Sequence, residues 1–369
     1  MHKDKKKLWL GAAAVVLIGV LVYRSRNMLH LGDFSAARLW TAIRETNLLY
    51  ISLSLVLIYA CYALRAMRWR IFQRNLGTAE FWPIYKMTLA GFASLFVLGR
   101  AGEPVRPLLI ARRAKLPIAD TFGIWVLERL YDSASAAIIA AIGLLVYTSQ
   151  KHAGNSGSAL EKAARTTGGL IAIGVLVAVS ALIYLRLHGS AMLERRLQGW
   201  LASRGWRATV AKIILGFIRG TQTIRSWRDL AESVLLSAVH WYFVVLIYLL
   251  VSHAFGGRLA LLSLSDCMLV TAFTLVGSAV QLPGVGGGSQ VACFLAYTTI
   301  FGIEKEPAAA AAVLVWLVTF AMCSIVGIPL LVHEGFSFGQ LREMAKQEKE
   351  ELAQEAERGI THDDRGGEA

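Results

Sequence analysis

The chain has 369 residues, of which 56% are hydrophobic and only 17% are charged, and its mean hydropathy is +0.52. Soluble domains carry about 25% charged residues, so this composition excludes a soluble globular fold and indicates a polytopic membrane protein. The formal net charge is +13, and most basic residues lie in short loops between apolar segments. The positive-inside bias of membrane proteins accounts for them there, so no nucleic-acid partner is predicted. The four cysteines are isolated, so no disulfide framework, metal site or cofactor is predicted.

The sequence predicts an all-α fold with six membrane-spanning helices. The first span follows a basic N-terminus and has no small-residue cleavage site, so we expect it to remain in the protein. The six spans are Leu8–Tyr23, Leu48–Leu64, Ile118–Thr148, Leu170–Leu185, Val234–Ala254 and Ala308–Val332. They form a transmembrane domain over residues 1–333, and a charged cytoplasmic tail, predicted to be partly disordered, follows over 334–369.

Two shorter features flank the second span. The segment Leu31–Thr46 spaces apolar residues among charges and predicts an amphipathic helix on the outer surface. The end of the second span alternates arginines with aromatic residues, a pattern typical of anchors at the cytoplasmic interface. The basic residues of this pattern are Arg65, Arg68, Arg70 and Arg74.

Two further apolar units are predicted to be re-entrant helical hairpins or pairs of tight spans. The first hairpin is Phe81–Lys115 and the second hairpin is Leu264–Ile303. A full crossing by the first hairpin would place the arginine-rich loop of residues 186–228 outside, against the positive-inside rule. If the first hairpin enters and leaves on the cytoplasmic side, this conflict disappears. Counting the remaining membrane crossings then makes the second hairpin enter and leave from the outer side.

The two hairpins suggest an internal duplication. One common shift aligns Glu103 with Gln290 and Arg129 with Trp316. Alanine-rich helices also align by chance. Two interpretations are therefore open, an inverted repeat and a chance alignment. Paired helix interruptions in two halves of a membrane protein point to a transport site.

Three charged residues are predicted well inside the membrane on the helix that follows the first hairpin. They are Glu128, Arg129 and Asp132, and each unpaired charge there costs about 2.5–3.5 kcal/mol. We therefore expect compensation by Arg100 and Arg106 of the first hairpin. Two interpretations are open: a structural ion-pair network, or a site whose arginines hold a lipid phosphate while the carboxylates receive a cationic headgroup or a proton.

The glycine-rich turn of the second hairpin adds uncharged hydrogen-bonding groups. Its glycines free backbone polar groups and permit close approach of a headgroup, and glutamines flank it on both sides. No catalytic residue is assigned. The candidate substrate-binding residues are Arg100, Glu103, Arg106, Glu128, Arg129, Asp132, Gln281, Pro283, Gly284, Gly286, Gly287 and Gln290.

Three motifs in order resemble the lysylphosphatidylglycerol synthase transmembrane region family. They are Gly-x-x-Gly-Glu-x-x-Arg-Pro at Gly99–Pro107, Glu-Arg-Leu-x-Asp at Glu128–Asp132 and Pro-Gly-x-Gly-Gly at Pro283–Gly287. The resemblance implies a flippase-like domain of about eight helical elements that moves a polar lipid between leaflets. Gln290 stands where the family usually has Glu, so the resemblance carries no acidic coupling role to that position. Nothing after Val332 resembles the family's soluble aminoacyltransferase domain, so lysyl transfer from tRNA is not expected.

Three functions remain possible from the sequence. The first is a flippase of the bacterial inner membrane, with both termini cytoplasmic, that binds anionic or polar lipids. The second is a lipid-modifying membrane enzyme or accessory subunit, with Glu128 and Asp132 as acid and base. The third is a membrane scaffold whose charges are structural. A lipid-synthesis enzyme encoded elsewhere and a second copy of the chain are further expected partners.

Overall fold

The structure, a computed structural model, describes residues 36–77, 80–151, 173, 226–278, 281–282 and 286–334. The predicted span Leu8–Tyr23 and the charged tail after Glu334 lie outside the described residues, as does the predicted span Leu170–Leu185 apart from Ile173. The described part is helical except for loops and one two-residue β-pairing, which confirms the all-α fold class.

Ten α-helices and several short elements make up the described part of the chain. The helices are α1 (Ala36–Arg44), α2 (Leu48–Gln73), α3 (Phe81–Leu98), α4 (Val105–Ala114), α5 (Ile118–Lys151), α6 (Trp227–Ala254), α7 (Leu264–Gly277), α8 (Gly288–Leu295), α9 (Lys305–Trp316) and α10 (Met322–His333). The other elements are the 3₁₀ turns Gly99–Gly102 and Leu259–Leu261, the π turns Ala296–Ile300 and Leu317–Ala321, and the strands β1 (Gln281–Leu282) and β2 (Gly286–Gly287).

Five of these helical segments are long and apolar enough to cross a membrane. They are α2, α3, most of α5, α6, and the continuous rod formed by α9, its π turn and α10. Four of them correspond to predicted spans, and α3 is the first arm of the first hairpin. Large apolar side chains on their outer faces, such as Val56, Leu235 and Ile325, are exposed, as expected where a helix faces lipid.

Local sequence sets where the helices begin. The side chain of Asn47 accepts a hydrogen bond from the Leu49 amide at the start of α2, and Ser226 does the same for Asp229 at the start of α6. Ser263 and Asp266 form a reciprocal capping box at the start of α7. Such caps satisfy the amide groups that the first helical turn leaves without partners.

Helices α2 and α6 form an antiparallel central pair. The Asn47 amide donates to the Ala254 carbonyl at 2.8 Å at one end, and Arg74 contacts Asp229 at the other. Helix α2 begins one half of the bundle, α2–α5, and α6 begins the other half, α6–α10. The first helices of the two halves therefore run in opposite directions. Each half then continues into its own hairpin, so the two hairpins start from opposite ends of the bundle.

The arms of both hairpins include helices too short to cross a bilayer. Helix α4 has 10 residues and α7 has 14, which correspond to about 15 and 21 Å against a hydrocarbon core of about 30 Å. In the first hairpin α3 and α4 pack together, and in the second α7 packs on α8. The two tips meet, because Cα atoms of Gly99–Gly102 lie within 8 Å of those of Gln281–Leu282.

A glycine on the first arm of each hairpin lets the second arm approach closely. A Cβ atom on Gly91 would overlap the side chain of Arg106, and one on Gly277 would overlap Gly288 and Ala292. The pairs Gly91–Arg106 and Gly277–Ala292 have the same sequence separation. Together with the antiparallel central helices, this is the packing that an inverted repeat would have.

Each hairpin also packs on the long helix of the other half. Helix α3 lies along α10, with Leu89 against Gly327, and reaches the end of α9, where the ring centres of Phe96 and Trp316 are 5.9 Å apart. Helix α7 lies along α5, with Leu269 close to Gly143. The two halves are therefore interlocked. The first hairpin packs more extensively on α10 than on α5.

Candidate functional site

Glu128 lies at the centre of a buried charge cluster and has no exposed surface. Its Oε1 accepts from Arg65 Nη1 at 2.9 Å, from Arg68 Nη2 at 3.1 Å and from Arg106 Nη1 at 3.3 Å. Its Oε2 accepts from Trp69 Nε1 at 2.8 Å and from Arg106 Nη2. Three guanidinium groups and an indole thus compensate one carboxylate, which is the pairing that burial of a charge requires.

Asp132 lies one helical turn further along α5 and shares two of these arginines. It accepts from Arg65 Nη1 at 2.7 Å and from Arg68 Nη2 at 2.9 Å, and Arg129 Nη2 lies 3.8 Å away. The other terminal nitrogen of Arg68 donates to Ser237 of α6 at 2.8 Å. The cluster therefore connects α2, α5, α6 and the first hairpin.

Aromatic rings enclose the guanidinium groups of the cluster. Arg106 lies 5.4 Å from the Trp69 ring centre and 5.1 Å from that of Phe92, and Arg65 lies 5.4 Å from the Phe92 ring centre. These distances are within the range of cation–π attraction, which strengthens where water is excluded. The missing side chain of Gly91 leaves the space that Arg106 occupies.

The structure corrects the predicted pairing of these charges. The sequence assigned Arg100 and Arg106 as the compensating groups and placed Arg65 and Arg68 at the interface. Arg106 is confirmed as a partner of Glu128, whereas the side chain of Arg100 lies outside the described residues. The interfacial assignment is wrong for Arg65 and Arg68, whose side chains are 11% and 1% exposed.

One helical face of α2 explains why these residues were missed. Arg65, Arg68 and Trp69 recur at the spacing of three and four residues that puts side chains on one side of a helix. Arg70 and Arg74 lie on the other side, where both are exposed. A positive-inside pattern accounts for all of these arginines equally well, so only the tryptophan in register with the inner pair was a signal.

The same side of α2 also contacts an irregular turn in the last span. The hydroxyl groups of Tyr62 and Tyr59 donate to the carbonyls of Thr319 at 3.2 Å and Met322 at 2.9 Å. A π turn leaves helical carbonyls without their regular partners, and π turns occur often at functional sites. Here α2 provides a partner for Thr319 within the turn Leu317–Ala321 and for Met322 directly after it, and carries the cluster arginines further along.

A small pocket adjoins the cluster at the first hairpin. Its volume is about 10 Å³, the space of about one water molecule. Arg129 is 39% exposed on the pocket wall, and its buried Nε has no hydrogen-bond partner among the described residues. The lining residues are Gly91, Phe92, Leu95, Glu103, Arg106, Trp125 and Arg129.

The cluster has more positive than negative charge. It comprises the four arginines Arg65, Arg68, Arg106 and Arg129 and the two carboxylates Glu128 and Asp132. Glu103 adds a third carboxylate to the pocket wall, and this residue has a further interaction of its own. The pocket therefore offers an anion a surplus of guanidinium donors.

The second hairpin contributes no side chain to the described part of this pocket. The β-pairing aligns Gln281 with Gly287, and the Gln290 side chain accepts from the Gly287 amide, which closes the glycine-rich turn. Pro283 and Gly284 lie outside the described residues, as does the side chain of Gln281. The structure therefore brings Glu103, Arg106, Glu128, Arg129 and Asp132 together and places Gln290 in a structural turn.

Comparison with known proteins places the chain in a family. Residues 9–327 match the family model described as "Lysylphosphatidylglycerol synthase TM region". The chain is also similar to a protein named "UPF0104 membrane protein" from Methanothermobacter thermautotrophicus, with 22% identity over 349 residues that cover 89% of this chain and 97% of the relative. The match includes all three motifs and every residue of the charge cluster, so this multi-pass membrane protein belongs to the lysylphosphatidylglycerol synthase transmembrane region family.

Proposed function

We propose that this protein is a lipid flippase that moves a polar, phosphate-bearing headgroup between leaflets. The observation that carries the proposal is the surplus of arginine over carboxylate in a buried cluster beside a pocket. Family membership supports a lipid-related membrane function. The pocket and the cluster together supply a place for the charged end of a lipid.

Electrostatics favour an anionic group at this place. A charge left unbalanced in the membrane interior costs about 2.5–3.5 kcal/mol, so a bound anion would offset the cluster's surplus. Phosphate oxygens accept charge-assisted hydrogen bonds from guanidinium groups, and the Nε of Arg129 lacks a partner among the described residues. An aminoacylated phospholipid carries such a phosphate as well.

The lining of the pocket fits the charged end of a headgroup. Its space of about 10 Å³ holds about one water molecule, so a phosphate enters only when the first hairpin moves, and the acyl chains stay in the surrounding bilayer. Phe92, Leu95 and Trp125 provide apolar wall next to the arginines. The lipid would therefore keep its tails in hydrocarbon while its headgroup passes the hairpins.

The orientation and the partners follow from the same proposal. Nine basic residues in the loop between 186 and 228 favour a cytoplasmic position for that loop and for both termini, in a bacterial inner membrane. Its partners would be anionic or polar lipids, a lipid-synthesis enzyme encoded elsewhere and a second copy of the chain.

The alternative of a lipid-modifying enzyme has less support from the geometry. A general acid or base must reach the proton that it transfers. Glu128 has no exposed surface and accepts from four side chains, and Asp132 is held by Arg65 and Arg68. Both carboxylates are thus occupied as ion-pair partners.

Reconstitution into liposomes tests the proposal. Vesicles that carry a fluorescent phosphatidylglycerol, and parallel vesicles with aminoacyl, glycosyl and polyprenyl-phosphate lipids, should show faster leaflet exchange with the protein than without it. Arg129→Ala should slow this exchange, and Arg228→Ala, which removes an arginine that is 83% exposed in its side chain, is the matched control. Exchange no faster than in protein-free vesicles with every lipid would refute the flippase.

A further inference from the structure

The contact between the first hairpin and α5 differs from the hairpin's other main interface. Helix α3 is joined to α10 by backbone-close packing, with Gly327 against Leu89 and Ala93. The second hairpin is joined to α5 in the same way, through Gly143 and Leu269. The surface between α4 and α5 is therefore the seam between two interlocked units.

One ion pair crosses this seam in the middle of the charge cluster. Arg106 of α4 donates through both terminal nitrogens to Glu128 of α5. Among the described residues Arg106 has no other hydrogen-bond acceptor, and its remaining contacts in the cluster are the ring faces of Trp69 and Phe92. Glu128 is thus what holds the polar end of Arg106 against α5.

The two partners do not depend on each other equally. If Arg106 left, Glu128 would retain its hydrogen bonds from Arg65, Arg68 and Trp69, all of which belong to α2. The buried carboxylate would remain compensated, so the large cost of an unpaired buried charge would not arise on its side. Arg106, by contrast, would need a new anion.

The pocket places such an anion beside Arg106. Arg129 lines the same pocket and has an unpartnered buried Nε in the described part of the chain. A phosphate between Arg106 and Arg129 would accept from both guanidinium groups. It would take the place of Glu128 as the acceptor for Arg106 and offset the surplus positive charge of the cluster.

Only three residues join α4, which ends at Ala114, to α5, which begins at Ile118. Lys115 follows the last residue of α4 and has φ of 52°, which is the only positive φ of a non-glycine residue in the described ranges. This left-handed residue ends α4, and the Leu116 amide donates to the Ala111 carbonyl at 3.0 Å across it, so α4 and α5 meet at a capped joint of a few residues. Rotation at Lys115 would move α4 relative to α5 without unwinding either helix.

We propose that the Arg106–Glu128 pair is a latch that an anionic lipid headgroup opens. The phosphate replaces Glu128 on Arg106, and the first hairpin then moves away from α5 about Lys115 while it stays attached to α10. Phosphate stabilises the open state because only there is the Arg106 guanidinium free to bind it, which provides the differential affinity that a ligand-driven change requires. The latch rests on the proposed lipid transport and assigns its gating step to one ion pair.

Thiol reactivity across the seam tests the latch directly. Leu109 lies on α4, is 2% exposed and packs in one apolar cluster with Ile124 and Leu127 of α5. The variant Leu109→Cys, in nanodiscs, is treated with N-ethylmaleimide, and modification of that peptide is followed by mass spectrometry. Replacing phosphatidylcholine by phosphatidylglycerol should raise the rate at least about fivefold, the lower end of typical allosteric coupling.

Two further variants separate the latch from general loosening. Ala93→Cys places a thiol in the interface between α3 and α10, which stays closed, so its rate should be the same in both lipids. Arg106→Gln combined with Leu109→Cys should react quickly even in phosphatidylcholine and lose the lipid dependence. If Leu109→Cys does not fold, Ile110→Cys, at 1% exposed, takes its place.

The outcomes distinguish the latch from the transport function. Equal Leu109→Cys rates in both lipids, in protein that exchanges lipids in liposomes, overturn the latch and leave the flippase intact. A lipid-dependent Leu109→Cys rate in protein that exchanges no lipid supports the latch and refutes the flippase. A parallel rise at Ala93→Cys also overturns the latch, because both interfaces would then have loosened together.

Discussion

Replacement of Glu128 by glutamine should destabilise the protein strongly. The amide keeps the shape of the side chain, but it removes one of two negative charges that compensate the buried Arg65, Arg68 and Arg106. Its NH₂ group also faces donors, since Glu128 accepts from four side chains. Loss of one partner from a buried ion pair costs about 3–5 kcal/mol, so we expect at least 3 kcal/mol.

Unfolding of the purified protein in mixed micelles measures this free energy. The matched control is Glu232→Gln, which removes a carboxylate whose side chain is 32% exposed and pairs with Arg74 and Arg228. An exposed ion pair contributes about 1 kcal/mol or less, so the control should change little. Because Arg106 loses its acceptor in the first variant, Arg106→Gln added to Glu128→Gln should cost less than it does alone.

A loss below 1 kcal/mol for Glu128→Gln would refute this reasoning. That result would mean that water or lipid compensates the arginines and that the carboxylate is not needed to bury them. Additive losses in the double variant would contradict the pairing of Glu128 with Arg106 specifically. The combination of both results would leave the cluster without an energetic role in the fold.

Three further predictions concern packing and exposure. Gly91→Ala should lower the unfolding free energy by about 1–3 kcal/mol because its Cβ overlaps Arg106. Gly123→Ala, which has open space inside helix α5, should raise it by up to about 1 kcal/mol, and equal values in the same micelle assay would contradict the close approach. Tyr62→Phe should cost about 0.5–1.5 kcal/mol through the lost hydrogen bond to Thr319, and a stabilised variant would show that the π turn needs no such partner. N-ethylmaleimide should leave the buried native cysteines unmodified until the protein unfolds, as checked by intact mass, and rapid labelling of the folded protein would contradict their burial; they are Cys61, Cys267, Cys293 and Cys323.

The fold could be predicted where the membrane limits the possibilities. Long apolar runs gave the helices. The distribution of arginines predicted that the first hairpin returns to its starting face, which stays a prediction, and the 10-residue α4 is too short to cross a bilayer by itself. Arg106 could be identified as a partner of Glu128 because a charge inside a membrane needs one. These inferences depend on the cost of moving polar and charged groups from water into the membrane. This cost determines which residue types each segment contains, so it can be seen in the sequence.

The site features that the sequence did not predict depend on which helices contact one another in the folded protein. Arg65 and Arg68 lie in a segment that ends like any cytoplasmic anchor, and only the approach of α2 to α5 turns them inward to Glu128 and Asp132. The π turn at Leu317–Ala321 has no composition signal either, since its residues are those of an ordinary apolar helix. Its partners on α2 are distant in sequence, so no local pattern could reveal them.

The matched glycine contacts of the two hairpins have a consequence for the rates of the proposed transport. Gly91 accommodates Arg106, whereas Gly277 at the corresponding place accommodates Ala292. Under the proposed function, similar backbones therefore give an anion a binding site at the first hairpin, while the described residues of the second hairpin offer no matching arginine. Such an off-centre well makes the rates of exit to the two faces unequal and leaves the equilibrium distribution of the lipid unchanged. A lasting imbalance between leaflets would need a separate energy source, such as the membrane potential, at about 2.3 kcal/mol per charge and 100 mV.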